Sequence, residues 1–216
     1  MIITIDGPAG SGKSTVAKAV AEKLGFEYLD TGAMFRAVTL AALRAGIDLH
    51  DQQALSDLLA RVRMEFSPGQ VVLDGEDVSQ AIRADNVSKS SSPIAESPVV
   101  RQHLAERQRQ LAAGRNIVCE GRDQGTVIFP HAEYKFFLVA DPMERARRRH
   151  RQLSQMGEEI SLEEILKTQQ ERDQRDSQRA LAPLKPAPDA LVIDTTNLTI
   201  DEVVARIVDV VQGRLP

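Results

Sequence analysis

The chain has 216 residues, a net charge of −4 and a pI near 5.6, with 42% hydrophobic and 27% charged side chains. The acidic balance argues against a general nucleic-acid binder. No run of about 18 apolar residues is present, which argues against a membrane span. The single cysteine, Cys119, excludes an intramolecular disulfide, and residues 1–6 lack the basic and apolar parts of a signal peptide. We therefore expect a single domain over residues 1–216, cytoplasmic and monomeric, without nucleic-acid or membrane partners.

Strands and helices alternate in the first part of the chain. A β-branched run at 2–5 predicts a buried strand, and the apolar spacing from 13 to 24 predicts a helix that ends before Gly25. A second strand is predicted at 26–29, followed by helices at 31–45 and 51–62. This alternation is typical of α/β proteins.

The pattern changes near residue 63. Short strands are predicted at 64–67 and 70–73, joined by a turn at Pro68-Gly69. Ser88 to Ser92 is polar and predicts a loop. We interpret residues 63–96 as a small β-containing insertion in a core formed by 1–62 and 97–216.

Alternation returns in the second half. Helices are predicted at 98–113, 142–156, 162–179 and 200–211, with apolar strands at 116–119, 134–139 and 191–193. Uniformly apolar strands predict a parallel sheet covered on both faces. Such sheets bind ligands at the carboxyl ends of their strands. Functional residues are therefore expected directly after residues 5, 29 and 119.

Residues 7–14 match the phosphate-binding motif G-x-x-x-x-G-K-[ST] in full, between a predicted strand and a predicted helix. Glycines allow the backbone amides to surround phosphate, and the helix N-terminus attracts anions. Lys13 would contact the β- and γ-phosphates, and the Ser14 hydroxyl would bind Mg²⁺. The alternative is a glycine-rich turn without a ligand. The predicted nucleotide-binding residues here are Gly7, Pro8, Ala9, Gly10, Ser11, Gly12, Lys13, Ser14 and Thr15.

The motif alone does not identify the reaction. Sequences of the forms D-x-x-G and N-K-x-D, which GTPases carry, are absent, and the chain is short for a motor or transporter ATPase. A small-molecule kinase fits better. Two alternatives remain open: a kinase acting on another acceptor, such as UMP or shikimate, and a non-catalytic nucleotide-binding regulator or nucleic-acid-associated ATPase.

Three further segments carry charged residues suited to a second substrate. They are residues 30–36 with Arg36, residues 120–126 with an Arg-Asp pair, and residues 172–179. In a helix, Arg172, Asp176 and Arg179 would share one face. Each segment also has a plainer interpretation: a solvated arginine, a salt-bridged loop or a solvated helix.

Together these segments resemble the bacterial cytidylate kinases. The resemblance rests on residues 7–14, on D-T-G-A-M-F-R at 30–36, on G-R-D-Q-G-T-V-I-F-P at 121–130 and on the block 172–186. It implies a P-loop, nucleoside monophosphate kinase-like fold with a five-stranded parallel sheet, an acceptor-binding insertion and a helical lid near 145–160. It also implies phosphoryl transfer from ATP to CMP and dCMP with Mg²⁺.

The resemblance also implies residue roles. Lys13, Arg122 and Arg179 would be catalytic, and Arg148 or Arg149 of the lid would contact ATP. The predicted acceptor-binding residues are Thr31, Arg36, Ser92, Arg101, Arg122, Asp123, Arg172, Asp176 and Arg179. Among these, Asp123 suits cytosine because a carboxylate accepts from the N4 amine and not from the O4 of uracil. The acceptor phosphate is already an anionic nucleophile, so no general base is expected.

Overall fold

The computed structural model describes residues 1–67, 69–155 and 157–214. The elements lie close to the predicted ones, with ends that differ by one or two residues at most positions. A short 3-10 helix at Ala81–Arg83 and a π-type turn at Gln124–Ile128 supplement them. In chain order the strands and helices are β1 (Ile2–Asp6), α1 (Lys13–Leu24), β2 (Glu27–Asp30), α2 (Thr31–Arg44), α3 (Gln52–Arg61), β3 (Met64–Ser67), β4 (Gln70–Leu73), β5 (Glu76–Asp77), α4 (Asp85–Glu96), α5 (Pro98–Ala112), β6 (Ile117–Gly121), β7 (Tyr134–Val139), α6 (Pro142–Gln155), α7 (Leu162–Gln178), β8 (Leu191–Asp194) and α8 (Ile200–Val211).

The main sheet confirms the predicted fold class. Within the described ranges it has five strands in the order β2-β6-β1-β7-β8. β1 pairs in parallel with β6 and β7, and β7 pairs in parallel with β8. Asp6, the last residue of β1, is in register with Gly121, the last residue of β6. The segments that follow these two residues therefore start side by side at the carboxyl edge of the sheet.

The described chain divides into two compact units. The first contains Met1–Tyr28 and the chain from Arg115 onward. Helices α1 and α8 pack against each other in this unit. Its core contains the fully buried side chains of Ile3, Ile5 and Ile207, so the strand that leads into the phosphate loop is anchored by apolar contacts on the face of the sheet that α1 and α8 cover.

The second unit spans Leu29–Gly114 and is larger than the insertion predicted at 63–96. Helices α2 to α5 join the antiparallel sheet β3-β4-β5, which has three strands among the described residues. Met34, Leu55, Ile94 and Leu104 are all fully buried. These side chains come from four helices, and their packing explains why the compact unit extends beyond the predicted insertion.

The loop predicted at Ser88 to Ser92 is wrong, because these residues lie inside α4. Val87, Ser91 and Ile94 are buried at spacings of four and three, and α4 packs against α2. This tertiary contact outweighs the weak helix propensity of serine. Pro68, part of the predicted turn at Pro68-Gly69, lies outside the described residues. Met156, the predicted end of a helix, lies outside them as well. Among the described helices none is long and apolar enough to cross a membrane.

Candidate active site

The loop between β1 and α1 has the backbone that the phosphate-binding motif predicts. Gly10 and Gly12 have φ values of 76° and 86°, in the left-handed region that favours glycine. At Gly7, with φ of 154°, a Cβ atom would lie 2.3 Å from the carbonyl oxygen of Leu138. At Gly7, larger residues are therefore excluded by both conformation and space. The loop leads into α1 at Lys13, where free helical amides and the helix dipole favour an anion.

Lys13 is buried, and its Nζ donates to the carbonyl oxygen of Pro8 at 3.1 Å. The pKa of this amine is lowered from 10.5 to about 7, mainly by burial and in the same direction by the nearby cation of Arg122, whereas Glu120 opposes the change. The protein alone thus supports the lysine charge poorly. A bound phosphate would supply the missing negative charge, which suits a nucleotide-binding role.

A carboxylate that the sequence interpretation missed lies beside Ser14. The Ser14 hydroxyl donates to Oε1 of Glu120 at 2.6 Å, and the Tyr28 hydroxyl donates to the same oxygen at 3.2 Å. Glu120 is buried at the carboxyl end of β6, next to β1. Hydroxyl and carboxylate oxygens are the ligands that Mg²⁺ prefers, so this pair fits the predicted metal. The signal was available: Glu120 directly precedes the Gly-Arg-Asp motif.

Four predicted acceptor residues come together in the first unit. Arg122 Nε donates to Oδ2 of Asp176 at 2.9 Å. The Arg179 guanidinium lies 3.9 Å from Oδ1 of Asp176 and 3.8 Å from Oδ1 of Asp123. Burial alone would raise the pKa of Asp176, but the cations of Arg122, Arg172 and Arg179 hold it below its ordinary value. The result is a partly buried cluster of anions and cations from two segments, and the Arg172 charge also acts on it.

In the second unit, Asp30 organises the start of α2. Its Oδ1 accepts from the Ala33 amide at 2.8 Å, and its Oδ2 lies 3.2 Å from Arg36 Nη2. Thr31 is buried as the first residue of the helix. Arg36 Nε is buried without a hydrogen-bond partner among the residues that the structure describes. One donor of this guanidinium therefore stays available for an anionic ligand.

Ser92 and Arg101 lie on neighbouring helices of the second unit, and their positions differ in character. Ser92 is half-buried on α4. Arg101 is buried on α5, donates to the Ala95 carbonyl oxygen at 3.0 Å and stacks 5.7 Å above the ring of Phe35. The ring is a favourable platform for the guanidinium. Ser91, a close neighbour, donates instead to the Ser88 carbonyl oxygen.

The two predicted lid arginines face different surroundings. Arg148 donates to the Thr195 carbonyl oxygen at 2.6 Å, and its Nη1 would lie 3.9 Å from a Cβ atom built on Gly12. Arg149 donates to Gln152 on its own helix at 2.9 Å. Geometry therefore places Arg148 beside the phosphate loop.

Sequence reasoning missed a third arginine, Arg145, which contacts the loop directly. Its Nη1 donates to the Ala9 carbonyl oxygen at 2.9 Å and also pairs with the Asp173 carboxylate. Asp173 in turn accepts from the Ala9 amide at 3.2 Å. Helices α6 and α7 are thus both tied to the loop backbone. The residue runs that contain Arg145 and Asp173 are so rich in charge that position alone did not distinguish them.

Comparison with known proteins decides the family. The family model described as cytidylate kinase matches residues 3–213 of this chain. The chain belongs to the cytidylate kinase family. It is 49% identical to a cytidylate kinase of Geobacillus kaustophilus, over 99% of this chain and 97% of that protein. It is also 46% identical to a cytidylate kinase of Vibrio cholerae, with 99% and 97% covered.

The fold is shared more widely. A crystal structure of shikimate kinase from Bacteroides thetaiotaomicron superposes with a TM-score of 0.51 at 14% identity, and 98% of each chain is covered. At this identity the likeness concerns the fold and not the acceptor. The predicted resemblance to cytidylate kinases and the predicted P-loop kinase fold are therefore confirmed, while the roles of individual residues stay predictions.

Proposed function

We propose that this chain transfers the γ-phosphoryl group of ATP to CMP and dCMP, giving ADP with CDP or dCDP. The observation that carries this proposal is the partly buried cluster of Arg122, Asp123, Asp176 and Arg179 in a member of the cytidylate kinase family. Arg122 also acts on the charge of Lys13. The cluster therefore acts electrostatically on the lysine proposed to contact the triphosphate. It also has the donors that an anionic acceptor requires.

The phosphate loop is proposed to hold the ATP phosphates. Backbone amides of residues 7–12 and the start of α1 donate to them, and the Lys13 ammonium neutralises charge on the transferred group. Ser14, with Glu120 beside it, would hold Mg²⁺, which would supply charge neutralisation at the phosphates. Arg148 of α6 is proposed to bind the same phosphates, which its position near Gly12 supports.

The acceptor phosphate is proposed to lie against Arg122 and Arg179. Their planar guanidinium groups can bind it bidentately and align it with the γ-phosphoryl group. The acceptor needs no general base, because its phosphate oxygen is ionised at neutral pH. Rate acceleration comes from alignment and from neutralising charge with the two arginines and Lys13.

The remaining predicted acceptor contacts are part of the same proposal. Asp123 accepts from the cytosine N4 amine, and Arg172 and Asp176 bind the ribose. In the second unit, Arg36 binds the acceptor phosphate with its unsatisfied donor. Thr31 supplies a hydroxyl beside it, and we propose that Ser92 and Arg101 bind cytosine. We further propose that the enzyme is cytoplasmic and monomeric. Light scattering on the purified protein tests its oligomeric state.

The function is tested by supplying ATP and Mg²⁺ with CMP, dCMP, UMP, AMP or shikimate and measuring ADP release. CMP and dCMP should give the highest kcat/KM. A shikimate rate above the CMP rate would assign another acceptor, and ATP hydrolysis stimulated by RNA would assign another class.

Two variants sharpen the test of residue roles. Asp123→Asn should narrow the difference in kcat/KM between CMP and UMP, because an amide can donate to the uracil O4. Arg107→Gln is a control, since the half-buried Arg107 donates only to Gln110, at 3.4 Å, in the hydrogen bonds that the described residues form. An unchanged CMP preference in Asp123→Asn would remove Asp123 from the proposed cytosine site.

A further inference from the structure

Asp6 occupies an unusual position for a carboxylate. It ends β1 directly before the phosphate loop and is buried. Its Oδ1 accepts from the amide of Gln124 at 2.9 Å, and its Oδ2 accepts from the amide of Gly125 at 2.8 Å. Both carboxylate oxygens are therefore used by one turn, which lies more than a hundred residues away in the sequence.

That turn directly follows two proposed acceptor residues, Arg122 and Asp123. On one side of this pair, Gly121 is held in register with Asp6 by the pairing of β1 and β6. On the other side, Gln124 and Gly125 are held by the Asp6 side chain. The backbone on both sides of the pair is thus fixed to a single residue.

Packing leaves the turn little alternative room. A Cβ atom on Gly125 would lie 2.9 Å from the Thr4 hydroxyl and 3.3 Å from Cδ of Lys135. The amides of Val127 and Ile128 both donate to the Asp123 carbonyl oxygen, at 2.9 and 3.2 Å. The turn therefore touches β1 closely, and its orientation depends on the hydrogen bonds that reach it from that strand.

Keeping a carboxylate there is costly. The pKa of Asp6 is raised to about 7, mainly by burial and in the same direction by the Asp123 charge, while the two amides and Lys13 oppose this change. The Asp6 charge also contributes to raising the pKa of the Cys119 thiol. A neutral residue would avoid the cost of burying this charge. An asparagine could accept from one amide, but its own NH₂ group would face the other.

We infer that Asp6 is a positioning residue that fixes Arg122 and Asp123 beside the phosphate loop by accepting the amides of Gln124 and Gly125. The inference rests on the proposed function, since it concerns residues assigned there to the acceptor. Asp6 itself touches no substrate in this assignment. Its removal should therefore weaken acceptor recognition more than ATP binding.

The test compares Asp6→Asn with Thr4→Val. Thr4 lies on the same strand, contacts the same turn, and its buried hydroxyl has no hydrogen-bond partner within the described residues. In Asp6→Asn, we expect KM for CMP to rise about tenfold or more with KM for ATP little changed, because an unmade buried hydrogen bond has this magnitude. The ratio of kcat/KM for CMP over UMP should fall, because Asp123 is no longer held.

Thr4→Val should leave both KM values and the CMP preference unchanged. The inference would be overturned if Asp6→Asn lowered kcat/KM equally for CMP and UMP and raised KM equally for ATP and CMP. A general loss of structure would have these effects. Wild-type activity in Asp6→Asn would overturn it as well.

A measurement on the unmodified protein covers the case in which Asp6→Asn does not fold. Amide hydrogen exchange should be slow at Gln124 and Gly125 in the ligand-free enzyme, because both amides are buried donors to Asp6. Exchange at the rate of exposed loop amides would overturn the inference. This result is independent of the acceptor, so a failure of the proposed CMP kinase activity can be told apart from a failure of the Asp6 assignment.

Discussion

Replacing Lys13 by methionine should stabilise the ligand-free protein while abolishing phosphoryl transfer. The amine is buried, and its pKa falls from 10.5 to about 7 on folding. At about 1.4 kcal/mol per pH unit, this difference means that the charged lysine costs the folded state roughly 5 kcal/mol at or below neutral pH. Methionine has a similar length without the charge and removes this cost.

Part of the gain is offset. The Pro8 carbonyl oxygen loses its 3.1 Å donor, which costs about 1 kcal/mol. Glu120 loses a nearby cation, although it keeps the bonds from Ser14 and Tyr28. A net stabilisation of about 2 to 4 kcal/mol is therefore expected for Lys13→Met at pH 7, which corresponds to an increase in Tm of about 4–16 °C for a chain of this size.

The pH dependence is the sharper readout. Between about pH 7 and pH 10.5 the unfolded chain keeps the lysine proton and the folded state has released it, so the wild type gains stability as the pH rises. The stability advantage of Lys13→Met should shrink by roughly 2 kcal/mol between pH 7 and pH 9. Urea unfolding of both proteins at each pH measures it.

Lys18→Met is the matched control. Lys18 lies on the same helix, and its side chain is 67% exposed, with an Nζ to Oε1 distance of 4.0 Å to Glu22. Its replacement should change stability by less than about 0.5 kcal/mol at any pH. A Lys13→Met protein that is less stable than wild type at pH 7, or an advantage that does not change with pH, would refute the reasoning.

Three further predictions follow from the site. Arg148→Gln should raise KM for ATP about tenfold, since loss of a charge-assisted bond has this magnitude, whereas Arg149→Gln should stay close to wild type; the opposite ranking in steady-state assays would contradict the geometry. Cys119 is fully buried and burial raises the pKa of its thiol, so iodoacetamide should label it only after unfolding, and mass spectrometry that finds native labelling would count against this. Arg122→Gln and Asp176→Asn should be non-additive by about 1 kcal/mol or more in urea unfolding, because the pair is partly buried and hydrogen-bonded; additive losses would mean that the pair is not coupled.

Local signals in the sequence were sufficient for most elements of the fold. The helix predicted at 13–24 and the strands predicted at 64–67, 70–73 and 134–139 have the same bounds in the structure. Such elements are determined locally, by the periodicity of their apolar residues and by the glycines at their ends. Helix α4 was missed because its helical pattern has few apolar residues, and its stability depends on packing against α2.

The candidate site divides in the same way. The phosphate loop was predictable because a contiguous motif creates it, and the residues of the 121–130 and 172–186 blocks were predictable because their resemblance to cytidylate kinases is specific. The distinction between Arg148 and Arg149 was not predictable, since neighbouring arginines on one helix differ only in what the fold places beside them.

By itself, the sequence determined that this chain has a P-loop α/β fold and the residues of a cytidylate kinase. Only the tertiary structure decided which partners those residues have: Glu120 beside Ser14, Asp173 on the Ala9 amide, and Asp6 on the turn of Gln124 and Gly125. Glu120 is 106 residues from Ser14, and Asp173 is 164 residues from Ala9. Asp6 is 118 and 119 residues from its two partners. The low pKa of Lys13 has the same origin, because it depends on burial and on cations that are close in space but far away in the sequence. The local sequence therefore does not indicate it.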